Sequence, residues 1–210
     1  PGITAAIAGA EYAGMFLTDR NYSSSVTFVT GREAEGKEES GIDFSALAKL
    51  KGTIVFYMGM GNLEKITGSL VENGMDSETP AGIICEATTA GQRVLESNLA
   101  ELAGRARSEG FSPPGLIIVG EAARVKKHLS WYMSKPLFGR RIVVSRDAVG
   151  NRESGVKIAE MGGQAIEVET VKFKLLTESS EFLKIMQGFD EFDWVVFTSR
   201  RGVGYVMDFL

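Results

Sequence analysis

TIVFYMGM, residues 53–60, is an unbroken apolar run of strand length, rich in β-branched and aromatic side chains. A run without polar alternation belongs to a strand covered on both faces. The flanking sequence therefore has to supply a layer on either side, and it reads that way. Upstream, PGITAAIAGAEYAG (1–14) is a small-residue helix entered through a turn at Gly2. SSSVTFVTG is a strand ending at Gly31, and FSALAKL is a short helix opened by Asp43. Downstream, Asn62 is placed to cap LEKITGSLVEN, which Gly74 stops. AGIIC and QRVLES are strands, and Ser97 or Asn98 caps LAELAGRARSEG, which ends at Gly110. After Pro113-Pro114, LIIVG is a second strand of the buried kind. Strands alternating with helices predict an α/β layer architecture, and QRVLES brings antiparallel pairing into it. The polar stretch REAEGKEESGID has no periodicity and reads as a solvated loop.

LSWYMSKPLFG (129–139) interrupts the alternation, and the domain boundary is placed there, dividing the chain into residues 1–134 and 135–210. The pattern then restarts as β-α-β-α-β. RRIVVSR is a strand, and a helix near 152 to 161 is stopped by Gly162-Gly163. QAIEVE, a helix near 180 to 187 and the strand DWVVFTS follow, and a last helix begins near Gly202. A mostly parallel sheet is expected in this second unit. Charge separates the two parts as well. Residues 1–134 carry 12 Lys and Arg against 16 Asp and Glu, whereas residues 135–210 carry 11 of each.

A net charge of −4 lacks the basic face that a general nucleic-acid binder needs. No stretch reaches the roughly 20 apolar residues of a membrane span, and the first residues have no signal-peptide layout, so a cytoplasmic protein is expected. Cys85, the single cysteine, lies in the apolar run AGIIC and reads as a buried structural thiol. His128, the single histidine, has no second histidine or cysteine pair to make metal spacing, so no metal site is expected. The chain opens without methionine and stops inside a predicted helix, and both ends read as cut.

Four segments of the first unit, PGITAA (1–6), LTDRNYSSSVTFVTG (17–31), TIVFYMGM (53–60) and ATTAGQRV (87–94), resemble the uroporphyrinogen-III C-methyltransferase family of tetrapyrrole methylases and occur in that family's order. PPGLIIVGEAARV (113–125) extends the likeness to nearly the whole unit. The resemblance implies methyl transfer from S-adenosyl-L-methionine to uroporphyrinogen III, giving precorrin-2 on the route to sirohaem and cobalamin, by a homodimer. It also implies that this chain holds the carboxyl-terminal of the family's two α/β domains. Cofactor contact is then carried over to Thr4 and Ala5 after the Pro-Gly turn, to Met58, to Ala87, and to Pro114, Gly115 and Leu116. All are positioning residues. The family's Gly-Pro-Gly-Asp loop, Gly-rich donor loop and proton-handling groups have no counterpart here, so the catalytic residues are unassigned and the segment is expected to be inactive by itself. Where relatives commonly carry histidine, this sequence has Asp19 and Arg32, so no histidine role transfers. Because the macrocycle bears eight carboxylates, Arg20, Arg32 and Arg93 are candidates to face it, against the plainer reading of solvated arginines.

PLFGRRIVVSRD (136–147) and DWVVFTSRRGV (193–203) resemble uroporphyrinogen-III synthase, a lyase that closes hydroxymethylbilane without a cofactor. The whole then reads as a multifunctional enzyme in which a methylase runs into the start of a synthase domain. By that resemblance Arg146 ends the first strand and Thr198-Ser199 the third, at the carboxyl edge where α/β sheets bind ligands. Thr198 and Ser199 either bind substrate or cap the next helix. Arg200 and Arg201 are either further anion contacts or exposed side chains. A methylase-like module without catalysis, serving dimerisation or tetrapyrrole binding, is the alternative to an enzyme.

Overall fold

The computed structural model describes residues 2–32, 41–124, 129–174, 176 and 178–209. His128 and most of the polar loop after Gly31 lie outside the described residues. Strand β2 (Thr53–Tyr57) sits inside a five-stranded sheet whose order is β1 (Val26–Thr30), β2, β5 (Gly115–Val119), β3 (Pro80–Cys85) and β4 (Arg93–Asn98). β1 runs parallel to β2, and the other three pairings are antiparallel, with Ile117 opposite both Phe56 and Ile83.

The period of two along β2 divides the core. Ile54 and Phe56 face the layer formed by α3 (Leu63–Glu72) and α4 (Leu99–Ser108), where Ile66, Leu70, Leu99 and Leu102 are buried with them. Val55 faces the opposite side, against α1 (Ala5–Ala13), Met15, Ile84, Leu116 and Ile118. Thr53 through Phe56 are completely buried, as an apolar run without alternation requires. α1 approaches its sheet closely because its inner face is Ala6, Gly9, Ala10 and Ala13. A Cβ on Gly9 would stand 3.1 Å from Leu116 Cδ1.

The helix ends follow the sequence with one change. Asp43 caps α2 (Phe44–Ala48) and Asn98, not Ser97, caps α4, each side chain accepting from the amide three residues on. Asn62 does not cap α3 with its side chain. A 3-10 turn over Met60–Asn62 leads into the helix, and the Asn62 amide donates instead to Gly31 O at 2.8 Å. That bond ties the end of β1 to the end of β2, where Gly31 and Gly59 pass so closely that a Cβ on Gly31 would meet Gly59 Cα at 2.6 Å.

In the second unit, β6 (Arg141–Arg146) and β7 (Gln164–Glu169) pair in parallel, joined by α5 (Ala148–Glu160). α5 begins four residues before the sequence expectation because Asp147 caps it, accepting from Gly150 N at 3.3 Å. α6 (Ser180–Gln187) and α7 (Arg200–Met207) follow. The third strand expected from DWVVFTS does not form. Residues 193–199 pair with no strand among the described residues, and Trp194 and Val196 are 86% and 83% exposed. Strand propensity is expressed only where a neighbouring ladder and a covering layer receive the side chains, and neither meets this segment.

The segment Leu129–Gly139 touches both units. Tyr132 packs on Tyr12 of α1 with ring centroids 4.8 Å apart. On the other side, Leu137 N donates to Met161 O at 3.0 Å and Lys135 Nζ to Glu160 O at 2.7 Å.

Candidate functional site

Antiparallel pairing of β5 with its two neighbours brings the carboxyl ends of β2 and β3 to the same sheet edge as the amino end of β5. The amino end of α1 lies at that edge too. Tyr57 Oη, at the end of β2, accepts from Ala6 N at 3.1 Å and is hydrogen-bonded to Thr4 Oγ1. These four termini enclose a cavity of about 600 Å³. Its wall contains Ala5 from α1, Met58 after β2, Ala87 after β3, and Pro114, Gly115 and Leu116 entering β5. Six of the seven positions expected to touch cofactor thus line one space. Thr4, the seventh, does not line it but fixes Tyr57, which does.

The cavity is mainly apolar, with Arg32 and Glu86 as its charged lining groups. Its most distinctive feature is backbone conformation. Met58, Glu86 and Thr88 have φ of 52°, 47° and 68°, the left-handed region that non-glycine residues rarely enter. Glu86 and Thr88 flank Ala87, so the chain is forced into the same unusual region on either side of a wall residue. Such conformations persist where the surroundings hold them and concentrate at binding sites. The backbone also comes close at β5, where a Cβ on Gly115 would stand 2.8 Å from Cys85 Sγ. Cys85 itself is buried and hydrogen-bonded to Ser112 O, and burial raises its pKa above the ordinary thiol value. It backs the wall as an inert thiol.

The arginines separate. Arg32 lines the cavity. Arg20 does not; it lies on the turn joined by the Asp19–Ser23 bridge, beside a separate depression with Thr18 and Ser24. Arg93 is held structurally, donating to Glu109 O at 2.6 Å and Gly110 O at 2.9 Å with its guanidinium 4.1 Å over the Phe111 ring. It closes the carboxyl end of α4 and does not line the cavity.

In the second unit, Arg146 borders a cavity of about 460 Å³ together with Arg200, Arg201 and Glu153. Among the described residues, its guanidinium donates to neutral acceptors, Gly150 O at 3.4 Å and Ser154 Oγ at 3.3 Å. Arg201 is paired with Asp147 and stacks 4.0 Å over Phe173. Thr198 and Ser199 do not line this cavity. With no third strand, they do not mark a strand end, and Ser199 Oγ accepts from Gly202 N at 3.0 Å as the cap of α7.

Sequence reasoning missed Tyr57 and Glu86. Tyr57 is strand-like and carries no signal apart from its neighbour Met58, and nothing in Glu86 or Thr88 announces positive φ. A larger apolar groove of about 690 Å³ lies on the other flank of α1, between Ile7, Phe16, Phe28 and Trp131. Among the described residues Glu11 is its one charged lining group, and these residues do not supply the few convergent polar groups that orient a ligand. Among the described residues, no cluster of three or more His, Cys, Asp or Glu could hold a metal, and no helix is long and apolar enough to cross a membrane.

Residues 1–103 match the family Tetrapyrrole (Corrin/Porphyrin) Methylases. Among curated relatives, the porphyrin biosynthesis protein HemD of Ruminiclostridium josui is 31% identical over 210 residues, covering 100% of this chain and 42% of that protein. The uroporphyrinogen-III C-methyltransferase of Methanocaldococcus jannaschii is 46% identical over 126 residues, 60% of this chain and 51% of that protein. The chain therefore spans about half or less of the length of the curated relatives it matches. Among solved structures, the cobalamin biosynthetic enzyme cobalt-precorrin-4 methyltransferase shares the fold, with a TM-score of 0.53 and 23% identity over 58% of this chain and 51% of that one. The family match thus covers residues 1–103 of the amino-terminal unit, and the fold is shared with a solved methyltransferase.

Proposed function

We propose that the cavity at the ends of β2, β3 and β5 holds S-adenosyl-L-methionine and that the protein methylates uroporphyrinogen III to precorrin-2, supplying sirohaem or cobalamin. The observation that carries this reading is the convergence of Ala5, Met58, Ala87, Pro114, Gly115 and Leu116, from four separate stretches of sequence, on one space of about 600 Å³, a size suited to a small-molecule cofactor. The bound donor supplies an electrophilic methyl on a sulfonium. Met58 offers a soft, adaptable contact beside it. Ala87 and Gly115 let backbone approach, and apolar walls exclude water from a reactive centre. Thr4 acts through Tyr57, keeping the amino end of α1 against β2. Methyl transfer breaks the S–CH3 bond, forms a C–C bond and leaves S-adenosylhomocysteine. The carbon that gains the methyl already bears a carboxylate side chain and carries no hydrogen, so the balancing proton leaves from elsewhere on the macrocycle to a base outside the residues named here, and two such transfers give precorrin-2.

The second unit is proposed to be the start of a uroporphyrinogen-III synthase acting on hydroxymethylbilane. The R. josui relative supports that reading, since it matches this chain across both units in the same order. Arg146 is proposed to meet a substrate carboxylate, because its guanidinium borders a cavity and its partners among the described residues are neutral. Thr198 and Ser199 are weaker contacts for the same chemistry, being an exposed residue and a helix cap, while Arg20, a turn residue of the first unit, is proposed as a weaker contact for the carboxylates of the methylase's macrocycle. A homodimer formed through the methylase unit, located in the cytoplasm, completes the proposal.

Calorimetric titration of S-adenosylhomocysteine into the full-length protein tests it. Micromolar-class binding that weakens about tenfold, roughly 1.4 kcal/mol, in Met58→Ala or Thr4→Ala is the expected result. Absence of binding by a folded protein would leave a methylase-like module that serves dimerisation or tetrapyrrole binding without catalysis.

A further inference from the structure

Thr88 is a β-branched residue at φ 68°, one position beyond a cavity-lining alanine, and a threonine stays in that region only where its surroundings hold it. Both of its backbone groups are held by side chains from elsewhere. Its amide donates to Gln92 Oε1 at 2.8 Å, and its carbonyl accepts from Tyr132 Oη at 3.0 Å. Neither partner is casual. Gln92 is 2% exposed, and its Nε2 is spent on Tyr12 O at 3.1 Å, so the side chain bridges the loop to α1. Tyr132 is 5% exposed and wedged among Tyr12, Trp131 and Phe138, with centroids 4.8, 5.7 and 5.6 Å away. The remaining bonds of the loop are internal: Thr89 N and Oγ1 both donate to Glu86 O, and Gln92 N donates to Thr89 O. The loop thus closes on itself and is tied to the body of the unit by Gln92 and Tyr132.

We propose that Gln92 and Tyr132 are positioning residues for the cofactor cavity, clamping Thr88 from its two backbone sides so that Ala87 keeps its place in the wall. The inference rests on the donor-pocket reading above. It assigns a role to a residue of the junction segment, which lies far from the cavity in sequence. Because that segment is also bonded to Glu160 and Met161 of the second unit, the wall of the methylase cavity is linked through Tyr132 to the next unit. A buried glutamine that satisfies both ends of its amide, and a buried phenol that donates to one carbonyl, are costly to replace without a local consequence.

Tyr132→Phe removes one hydroxyl and keeps the ring packing, and Gln92→Met removes both amide bonds at similar volume. Amide exchange and S-adenosylhomocysteine calorimetry on the full-length protein are the two readouts. In Tyr132→Phe, exchange of amides 87–89 is expected to rise at least about tenfold while those of β2, β3 and α3 stay unchanged, with affinity for S-adenosylhomocysteine weakening about tenfold (one decade in Kd). Gln92→Met should do the same to a greater degree; should it fail to fold, Tyr132→Phe alone decides. Unchanged exchange at 87–89 overturns the clamp. Raised exchange with unchanged affinity in a protein that binds overturns the positioning role and leaves a purely structural one. If the wild type binds no S-adenosylhomocysteine, the donor-pocket reading falls and the link to it falls too, while the exchange arm still shows whether Gln92 and Tyr132 hold the loop.

Discussion

Thr53-Ile54-Val55-Phe56 and Trp194-Val195-Val196-Phe197 are nearly interchangeable as strand sequences, yet they end in opposite environments. The first four are fully buried in a sheet with neighbours on both edges and helices on both faces. The second four have no ladder among the described residues and are exposed by 38% to 86%. The contrast extends to the units that hold them. The first has two apolar clusters, one on each face of its sheet, whereas in the second, beyond Gly139, Ile158 is the one buried apolar side chain among the described residues. An apolar β-branched run permits a strand. Burial follows only when register partners and a covering layer exist.

The contrast breaks most visibly on deletion of one aromatic ring. Phe56→Ala should destabilise the first unit by about 3–5 kcal/mol, the cost of a large buried cavity. Trp194→Ala, made where no packing is lost, should stay within about 0.5 kcal/mol. Urea denaturation followed through Trp131 measures both, and comparable losses would mean that the 194–197 segment is packed after all.

A second test sharpens the first unit against itself. Gly31→Ala forces a Cβ to 2.6 Å from Gly59 Cα, backbone against backbone, and should cost about 1–3 kcal/mol. Gly68→Ala, in α3 with open space around its Cβ, should stabilise by about 0.5–1 kcal/mol through helix propensity. The opposite signs, read from thermal unfolding, would show that the sheet edge beside the cavity is tight where the outer face of α3 is open.

The smallest effect concerns the second unit, which depends on polar contacts where the first has a core. The side-chain hydrogen bond from Arg201 holds the Asp147 carboxyl below its ordinary value of 3.8. A depressed carboxylate contributes stability that is present above the unfolded value and is lost as pH falls through the folded one. Asp147→Asn should therefore weaken protection of α5 and α7 amides at neutral pH, and the difference from wild type should close under strong acid. A gap independent of pH would assign the effect to the Asp147 cap of α5 and not to its charge.

Much of the first unit was legible because its signals are local. The apolar run at 53–60, the caps at Asp43 and Asn98 and the glycine stops at Gly74 and Gly110 each act within a few residues. Asn62 was misread because a side-chain amide within reach of Gly31 O found a better partner than the helix start, and that reach exists only after β1 and β2 have paired. Arg93 could be read as a substrate candidate or a solvated arginine, and its bonds to the end of α4 form only once that helix end lies within its span. The cavity was legible one residue at a time, through family resemblance at Ala5, Met58, Ala87 and 114–116. The roles of Tyr57, Gln92 and Tyr132 were not, since their bonds cross 51, 80 and 44 positions of chain.

By itself, then, the sequence determined the α/β class, the order of elements in the first unit and a likeness to the tetrapyrrole methylases, because hydrophobic period, capping chemistry and motif order are properties of neighbouring residues. The tertiary structure alone decided that β5 enters antiparallel between β2 and β3, which carries Gly115 to the edge where Met58 and Ala87 stand. It also decided that Met58, Glu86 and Thr88 are held at positive φ and that the 193–199 run stays unpaired. Each of these outcomes depends on groups far apart in the chain meeting in space, and no local pattern encodes the neighbour that makes a strained loop or a buried strand favourable.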